Sequence, residues 1–346
     1  MTTPIPLALE TPPAWLPGGH LQTLLPAWWG RRLPSAVQWQ RERWTTPDED
    51  FVDVDWMGLD ESAPSGAPLV VLFHGLEGSS ESHYAKALSR LLKHQGWGMA
   101  VVHFRGCSGE LNRGPRAYHS GDVAEVQWML ERVRRIHAQR PVVAVGVSLG
   151  GNALMRWAGS LGPEAARWLD AAVAVSAPLD LTACGEALGR GFNRHVYTRL
   201  FLQTMVPKAQ AKWQQYPGLF DLDGLRRCRT LYDFDDVFTA PVHGYGNARR
   251  YWHEASAKPV LKDIRISTLI INATNDPFVP ASCLPRSSEV SSHVTLWQPA
   301  HGGHVGFPLG GTARAGDALT GALPQVMMDW VRQALEIRCG VDPRSD

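Results

Sequence analysis

The sequence predicts an α/β fold: a mostly parallel central sheet with helices on both faces, an antiparallel N-terminal edge and a helical cap inserted late in the chain. Three observations predict it. Short, almost continuously apolar runs alternate with helical patterns, as parallel strands covered on both faces require. An alternating polar–apolar strand precedes them, which places an antiparallel edge beside the parallel core. The regular alternation then stops after Val175 and resumes only near Ser267.

The first element is Phe51–Trp56, whose alternation predicts a half-exposed strand. Val70–Phe73 is the first buried strand, and Tyr84–Leu92 follows with apolar residues at helical spacing. Met99–Val102, the helix Val123–Ile136 and the strand Val142–Val145 continue the alternation. So do the helix Ala153–Leu161 and the strand Ala172–Val175. Leu269–Ile271 and Val294–Trp297 are the last strands, and Val326–Leu335 is the terminal helix. The interruption is helical and aromatic, and structureless loops of that length are rare. The expected organisation is therefore a core of residues 1–177 and 261–346 with a cap of residues 178–260 inserted in it. Near the start, Trp15, Leu16, Leu21, Leu24, Leu25, Trp28 and Trp29 form an apolar cluster that invites a membrane-docking reading. Pro12, Pro13, Pro17 and Pro26 argue against one continuous amphipathic helix there, so packing against the domain is expected instead.

Composition narrows the function. The 346 residues carry 34 Lys and Arg against 33 Asp and Glu, a net charge of +1 that gives no reason to expect a nucleic-acid partner. Charged residues are 19%, and the 33 glycines and 25 prolines imply many tight turns around a large buried core. Five scattered cysteines, none in a C-x-x-C pair, indicate neither a disulfide framework nor a thiolate zinc site. No cationic leader precedes an apolar run and no apolar stretch is long enough to span a bilayer. The expectation is a cytoplasmic protein with no stable membrane insertion.

The chemistry-bearing signal is Gly146-Val147-Ser148-Leu149-Gly150-Gly151, between a strand and a helix. A G-x-S-x-G turn in that context presents the serine on a sharp bend, with glycines relieving Cβ clashes. A serine hydroxyl needs a base and an orienting carboxylate to act as a nucleophile, in the chain order Ser, acid, His. Asp276, just past the strand Leu269–Ile271, fits the acid by position, although it could simply open the turn before Pro277. Asp180, one strand earlier, is its competitor. In His301-Gly302-Gly303-His304 the second histidine is favoured as base, because the two glycines let a loop bring its imidazole over the serine. His301 is then structural, and a metal site is disfavoured because no acidic or thiolate partner sits nearby. His74-Gly75-Leu76 follows the first buried strand, so the main-chain N–H groups of Leu76 and Leu149 are the expected oxyanion donors. Glu77 is expected to bond neighbouring amides rather than act as the acid. In the cap, Phe201, Leu202, Met205, Val206 and Trp213 either line an acyl pocket or pack the cap's own core.

Together these stretches resemble the α/β-hydrolase superfamily, and within it the YheT-like branch that includes eukaryotic abhydrolase-domain lipases. The narrower resemblance rests on Gly19-His20-Leu21-Gln22-Thr23, His74-Gly75-Leu76-Glu77-Gly78, Phe104-Arg105-Gly106-Cys107-Ser108-Gly109 and Tyr118-His119-Ser120-Gly121-Asp122. Phe234-Asp235-Asp236-Val237-Phe238-Thr239-Ala240-Pro241 and His301-Gly302-Gly303-His304-Val305-Gly306-Phe307 complete it. The resemblance implies a serine hydrolase of short- to medium-chain acyl esters, with Ser148, Asp276 and His304 as its triad and no metal or organic cofactor. The partner implied is a small acyl ester. An acyltransferase or thioesterase would use the same acyl-enzyme, and a silent binding protein on the same fold is the alternative from another class. The resemblance gives Arg105, Gly106, Tyr118, His119 and Asp122 no role beyond loop support.

Overall fold

The computed structural model describes residues 12–59, 66–309 and 321–338. Cys339 and the outer ends of the expected core lie outside the described residues. Eight strands form one sheet in the order β1-β2-β4-β3-β5-β6-β7-β8. They are β1 (Gln40–Thr45), β2 (Phe51–Met57), β3 (Leu69–Phe73) and β4 (Gly98–Val102), then β5 (Val142–Val147), β6 (Ala171–Val175), β7 (Ser267–Ile271) and β8 (Val294–Trp297). The β1–β2 and β2–β4 pairs are antiparallel and every later pair is parallel. The predicted sheet is therefore present, with one further edge strand, β1.

Alternate strand residues face opposite layers, as the two-residue period demands. Leu69, Val71 and Phe73 join Ala144 and Ala172 in a cluster under helices α3 (Val123–Ile136) and α4 (Leu149–Leu161). Val70 and Leu72 join Val143, Val145 and Val173 on the other face, under α2 (His83–Gln95) and a C-terminal helix, Leu323–Arg338. The helices end where their sequence says they should. Asp122 caps α3 by accepting from the Glu125 N–H, and Gly96, with φ 68°, closes α2.

Two expectations at the N-terminal side are corrected. Strand β2 is buried along its whole length rather than half-exposed. Its polar residues are sheltered because each carboxylate is paired: Asp53 takes Arg43 and Ser108, and Asp55 takes Arg41, His103 and Ser80. Burial pushes both carboxyls up, but these donors outweigh it and hold them below their ordinary value. The second correction is helix α1 (Gly18–Arg32), which runs unbroken with Pro26 inside it. A proline there leaves the Gln22 carbonyl without a helical donor, and the Gly306 backbone packs against that carbonyl so closely that no Cβ would fit.

The Phe104–Gly109 and Tyr118–Asp122 stretches have a definite structural task. The Arg105 guanidinium is buried and reaches Glu125 at 2.6 Å, Asp48 at 2.9 Å and Asp50 at 3.0 Å. Asp50 also accepts from the Arg113 and Gly114 amides and from Asn112, so one carboxylate folds the loop that follows Arg105. Burial raises the Glu125 carboxyl to about 7 against the opposing pull of Arg105. Arg105→Ala should leave the buried Glu125 and Asp50 without their cationic partner, and lower the unfolding free energy by about 3–5 kcal/mol in a urea titration.

Between β6 and β7 the chain is almost wholly helical. It includes α5 (Leu181–Leu188), α6 (Arg199–Gln215) and α7 (Ala248–Ala255), which makes the C-terminal helix α8. Their apolar residues form clusters separate from the two layers of the sheet.

Candidate active site

The bend after β5 sets the geometry. Ser148 has φ 51° and ψ −119°, a left-handed conformation that an L-residue holds only under constraint. The constraint is steric. A Cβ at Gly150 would press on the carbonyls of Phe73 and His74, and one at Gly146 would lie 2.5 Å from the Gly150 oxygen. The glycines thus serve close approach between strand and helix, while the serine itself carries the positive φ. This is the arrangement expected from the sequence, a strained serine with glycines that relieve Cβ clashes.

His304 Nε2 lies 2.9 Å from Ser148 Oγ, and His304 Nδ1 lies 2.9 Å from Asp276 Oδ2. A carboxylate only accepts, so the proton of the second bond sits on Nδ1, and Nε2 is the free acceptor facing the serine. The second Asp276 oxygen accepts from the Phe278 N–H at 2.8 Å, and the Phe278 ring stacks on His304 with centroids 4.1 Å apart. The Asp276 side chain is fully buried. The competitors lie elsewhere: Asp180 caps α5 through the Ala183 N–H, and His301 is exposed.

The imidazole loop is held from an unexpected direction. Gln22 Oε1 accepts from Gly302 N–H at 3.0 Å and from Asn275 Nδ2 at 2.9 Å. Thr23 Oγ1 accepts from the His304 N–H at 2.8 Å, and Asn275 Oδ1 from the Gly303 N–H at 3.0 Å. Ser176 Oγ takes the Val305 N–H. Helix α1 therefore bolts together the loop of Asp276 and the loop of His304. Sequence reasoning quoted the Gly19–Thr23 stretch but gave Gln22 and Thr23 no role. The signal was present: two polar residues in an otherwise leucine- and tryptophan-rich segment.

The turn after β3 is equally fixed. His74 Nε2 accepts from the Phe104 N–H, so Nδ1 is the protonated nitrogen and donates to the Gly75 carbonyl at 2.8 Å. Burial lowers this imidazole to about 3, so it stays neutral. The amides flanking Leu76 donate to tyrosine hydroxyls, Gly75 to Tyr84 and Glu77 to Tyr118. The Leu76 N–H lies between these two anchored amides, and the Leu149 N–H opens α4, where no helical acceptor exists. Glu77 departs from expectation. Its carboxylate takes the Tyr118 hydroxyl at 2.8 Å and Lys208 of α6 at 2.8 Å, a link between the turn and the helical insertion.

Ser148, Leu76 and Leu149 open on a cavity of about 150 Å³ whose walls are mostly apolar. Phe201 and Met205 line it with Phe234, Phe238 and Trp252, whereas Leu202, Val206 and Trp213 pack within the insertion. The five candidate pocket residues thus divide between the two roles. Among the described residues, no cluster of three or more His, Cys, Asp or Glu is placed to hold a metal ion, and no helix is long and apolar enough to cross a membrane.

A family profile described as alpha/beta hydrolase fold matches residues 68–310. YheT of Escherichia coli (strain K12) is 42% identical over 85% of this chain and 85% of its own. Phospholipase ABHD3 of Homo sapiens is 29% identical over 87% of this chain and 75% of its own. Among solved structures, the Pyrococcus furiosus esterase Pf2001 superposes with a TM-score of 0.52 at 14% identity, covering 87% of this chain and 92% of that one, a likeness of fold. With its sheet order, its serine bend and these relatives in agreement, the chain belongs to the α/β-hydrolase fold family, in the branch it shares with YheT.

Proposed function

We propose that this protein is a serine carboxylic-ester hydrolase acting on short- to medium-chain acyl esters. One observation carries the reading: an unbroken hydrogen-bonded line from Ser148 through His304 to Asp276 at the mouth of an apolar cavity. The name of the human relative, a phospholipase, agrees with ester cleavage. In this reading Ser148 Oγ attacks the ester carbonyl while His304 Nε2 takes its proton. Asp276 holds the ring by Nδ1 and stabilises the imidazolium. The Leu76 and Leu149 amides receive the oxyanion, a contribution for which loss of one donor typically costs about 10²–10³ in rate. His304 then protonates the departing alcohol, and water, deprotonated by the same imidazole, releases the acid. The segment 178–260 serves as the cap, with Phe201 and Met205 facing the acyl chain.

The test is reaction of the folded protein with a fluorophosphonate, followed by peptide mapping. Ser148 is the expected adduct; labelling at another residue, or none, would overturn the reading. A p-nitrophenyl ester series should show turnover peaking at short or medium acyl length. Asp276→Asn should lower kcat by about 10⁴, since the imidazole then presents the wrong tautomer. Asp180→Asn keeps the acceptor that caps α5 and should leave kcat within a few-fold of the parent, with stability changed by no more than a few tenths of a kcal/mol. Gln22→Ala frees the Gly302 amide from its buried acceptor; we expect kcat to fall roughly 10- to 100-fold with KM little changed, because a shift of about 1 Å in a catalytic group costs that much.

A further inference from the structure

Helix α1 is folded inside out. Its buried residues are Gln22, Thr23, Pro26 and Gly30, while Leu21, Trp28 and Trp29 face solvent and Trp15 stands exposed just before it. A surface helix ordinarily does the reverse. The polar residues face inward because they hold the Asp276 and His304 loops, and this turns the apolar side outward. Across His20 the surface continues onto the helical insertion. The His20 and Phe192 rings lie 4.5 Å apart, and Phe192 and Leu200 are exposed by about half.

The charge carried by the two segments that build this surface has one sign; the acid bordering the helix end, Glu81, is taken up by Lys86. No Asp or Glu occurs between Glu10 and Glu42, where Arg31 and Arg32 end the helix, and none occurs between Glu186 and Asp221. Arg194 and Arg199 lie in the second stretch, and among the described residues none of these four arginines makes an ion pair. The Arg32 guanidinium covers the Trp28 ring at 3.6 Å. Exposed tryptophans interleaved with unpaired arginines match a lipid–water interface, where indole sits at headgroup depth and guanidinium meets phosphate.

We propose that this face is a docking surface for an anionic lipid bilayer, on which the protein rests peripherally without spanning it. The proposal goes beyond the hydrolase reading and does not depend on it, since binding is measured without turnover.

The experiment is cosedimentation of the full chain with phosphatidylcholine vesicles, with and without phosphatidylserine, at low and high salt. The protein should partition about tenfold more strongly onto the phosphatidylserine vesicles, lose most of that gain at high salt, and show blue-shifted tryptophan emission when bound. Trp28→Ser/Trp29→Ser and, separately, Arg31→Gln/Arg32→Gln should each weaken binding about tenfold without moving the melting temperature, because all four side chains are at the surface. Absence of binding, or binding indifferent to both double variants, would overturn the proposal. So would a dimer in sedimentation equilibrium that Trp28→Ser/Trp29→Ser dissolves, because a second copy of the chain would then be the occupant.

Discussion

Ser148→Ala should remove ester turnover by about 10⁶ in kcat and abolish fluorophosphonate labelling, while Ser148→Gly should do the same and raise stability by about 1 kcal/mol. The contrast follows from the backbone. Alanine inherits the strained φ of 51° and so leaves stability where it was, whereas glycine occupies that region freely. The Ser148 hydroxyl makes no capping bond to α4, so little stability is lost with it. A gain in stability on Ser148→Gly would mean that the strained serine is held for chemistry and not for the fold. Kinetics on a p-nitrophenyl ester and urea unfolding of the same three proteins check both halves. A Ser148→Ala enzyme retaining a tenth of its activity would place the nucleophile elsewhere, and an unchanged Ser148→Gly midpoint would refute the strain.

How much of this was legible in the sequence depended on what each residue packs against. The parallel strands were plain because burial on both faces leaves almost continuous Val, Ala, Leu and Ile, as in Val142–Val147. Strand β1 was invisible because it is the edge, and Gln40–Thr45 exposes all but Trp44. The alternation of β2 was read correctly but placed in the wrong environment. Asp53 and Asp55 look like solvent-facing residues until the arginines of β1 are known to lie opposite them in register. Helix α1 was hidden by Pro26 and by its reversed polarity: a period-3.6 pattern names the apolar face as the buried one, and here tertiary hydrogen bonds invert it. Ser148, Asp276 and His304 were legible because strand-end position predicts where such groups stand. The Gln22–Asn275 latch was not, since it joins residues more than 250 positions apart and no local rule connects them.

The choice between the two histidines gives the second large effect. His304→Ala should lower kcat by about 10⁶, as loss of the base does when it acts as a unit with the serine. His301→Ala should fall within a few-fold of the parent, because His301 is exposed and the imidazole 2.9 Å from Ser148 Oγ is that of His304. Truncating His304 also strips Asp276 of its only side-chain donor among the described residues, in a fully buried site, and removes the ring stacked on Phe278. That loss should cost about 1–3 kcal/mol of stability. A fall in rate alone could therefore reflect a loosened loop, and a second variant separates the two. Asp276→Asn/His304→Gln removes the buried charge together with its partner and recovers most of the lost stability. It should recover none of the rate, because glutamine cannot take the serine proton. If stability and activity returned together, His304 would be a packing residue; if His301→Ala matched His304→Ala in rate, the wrong imidazole would have been given the proton.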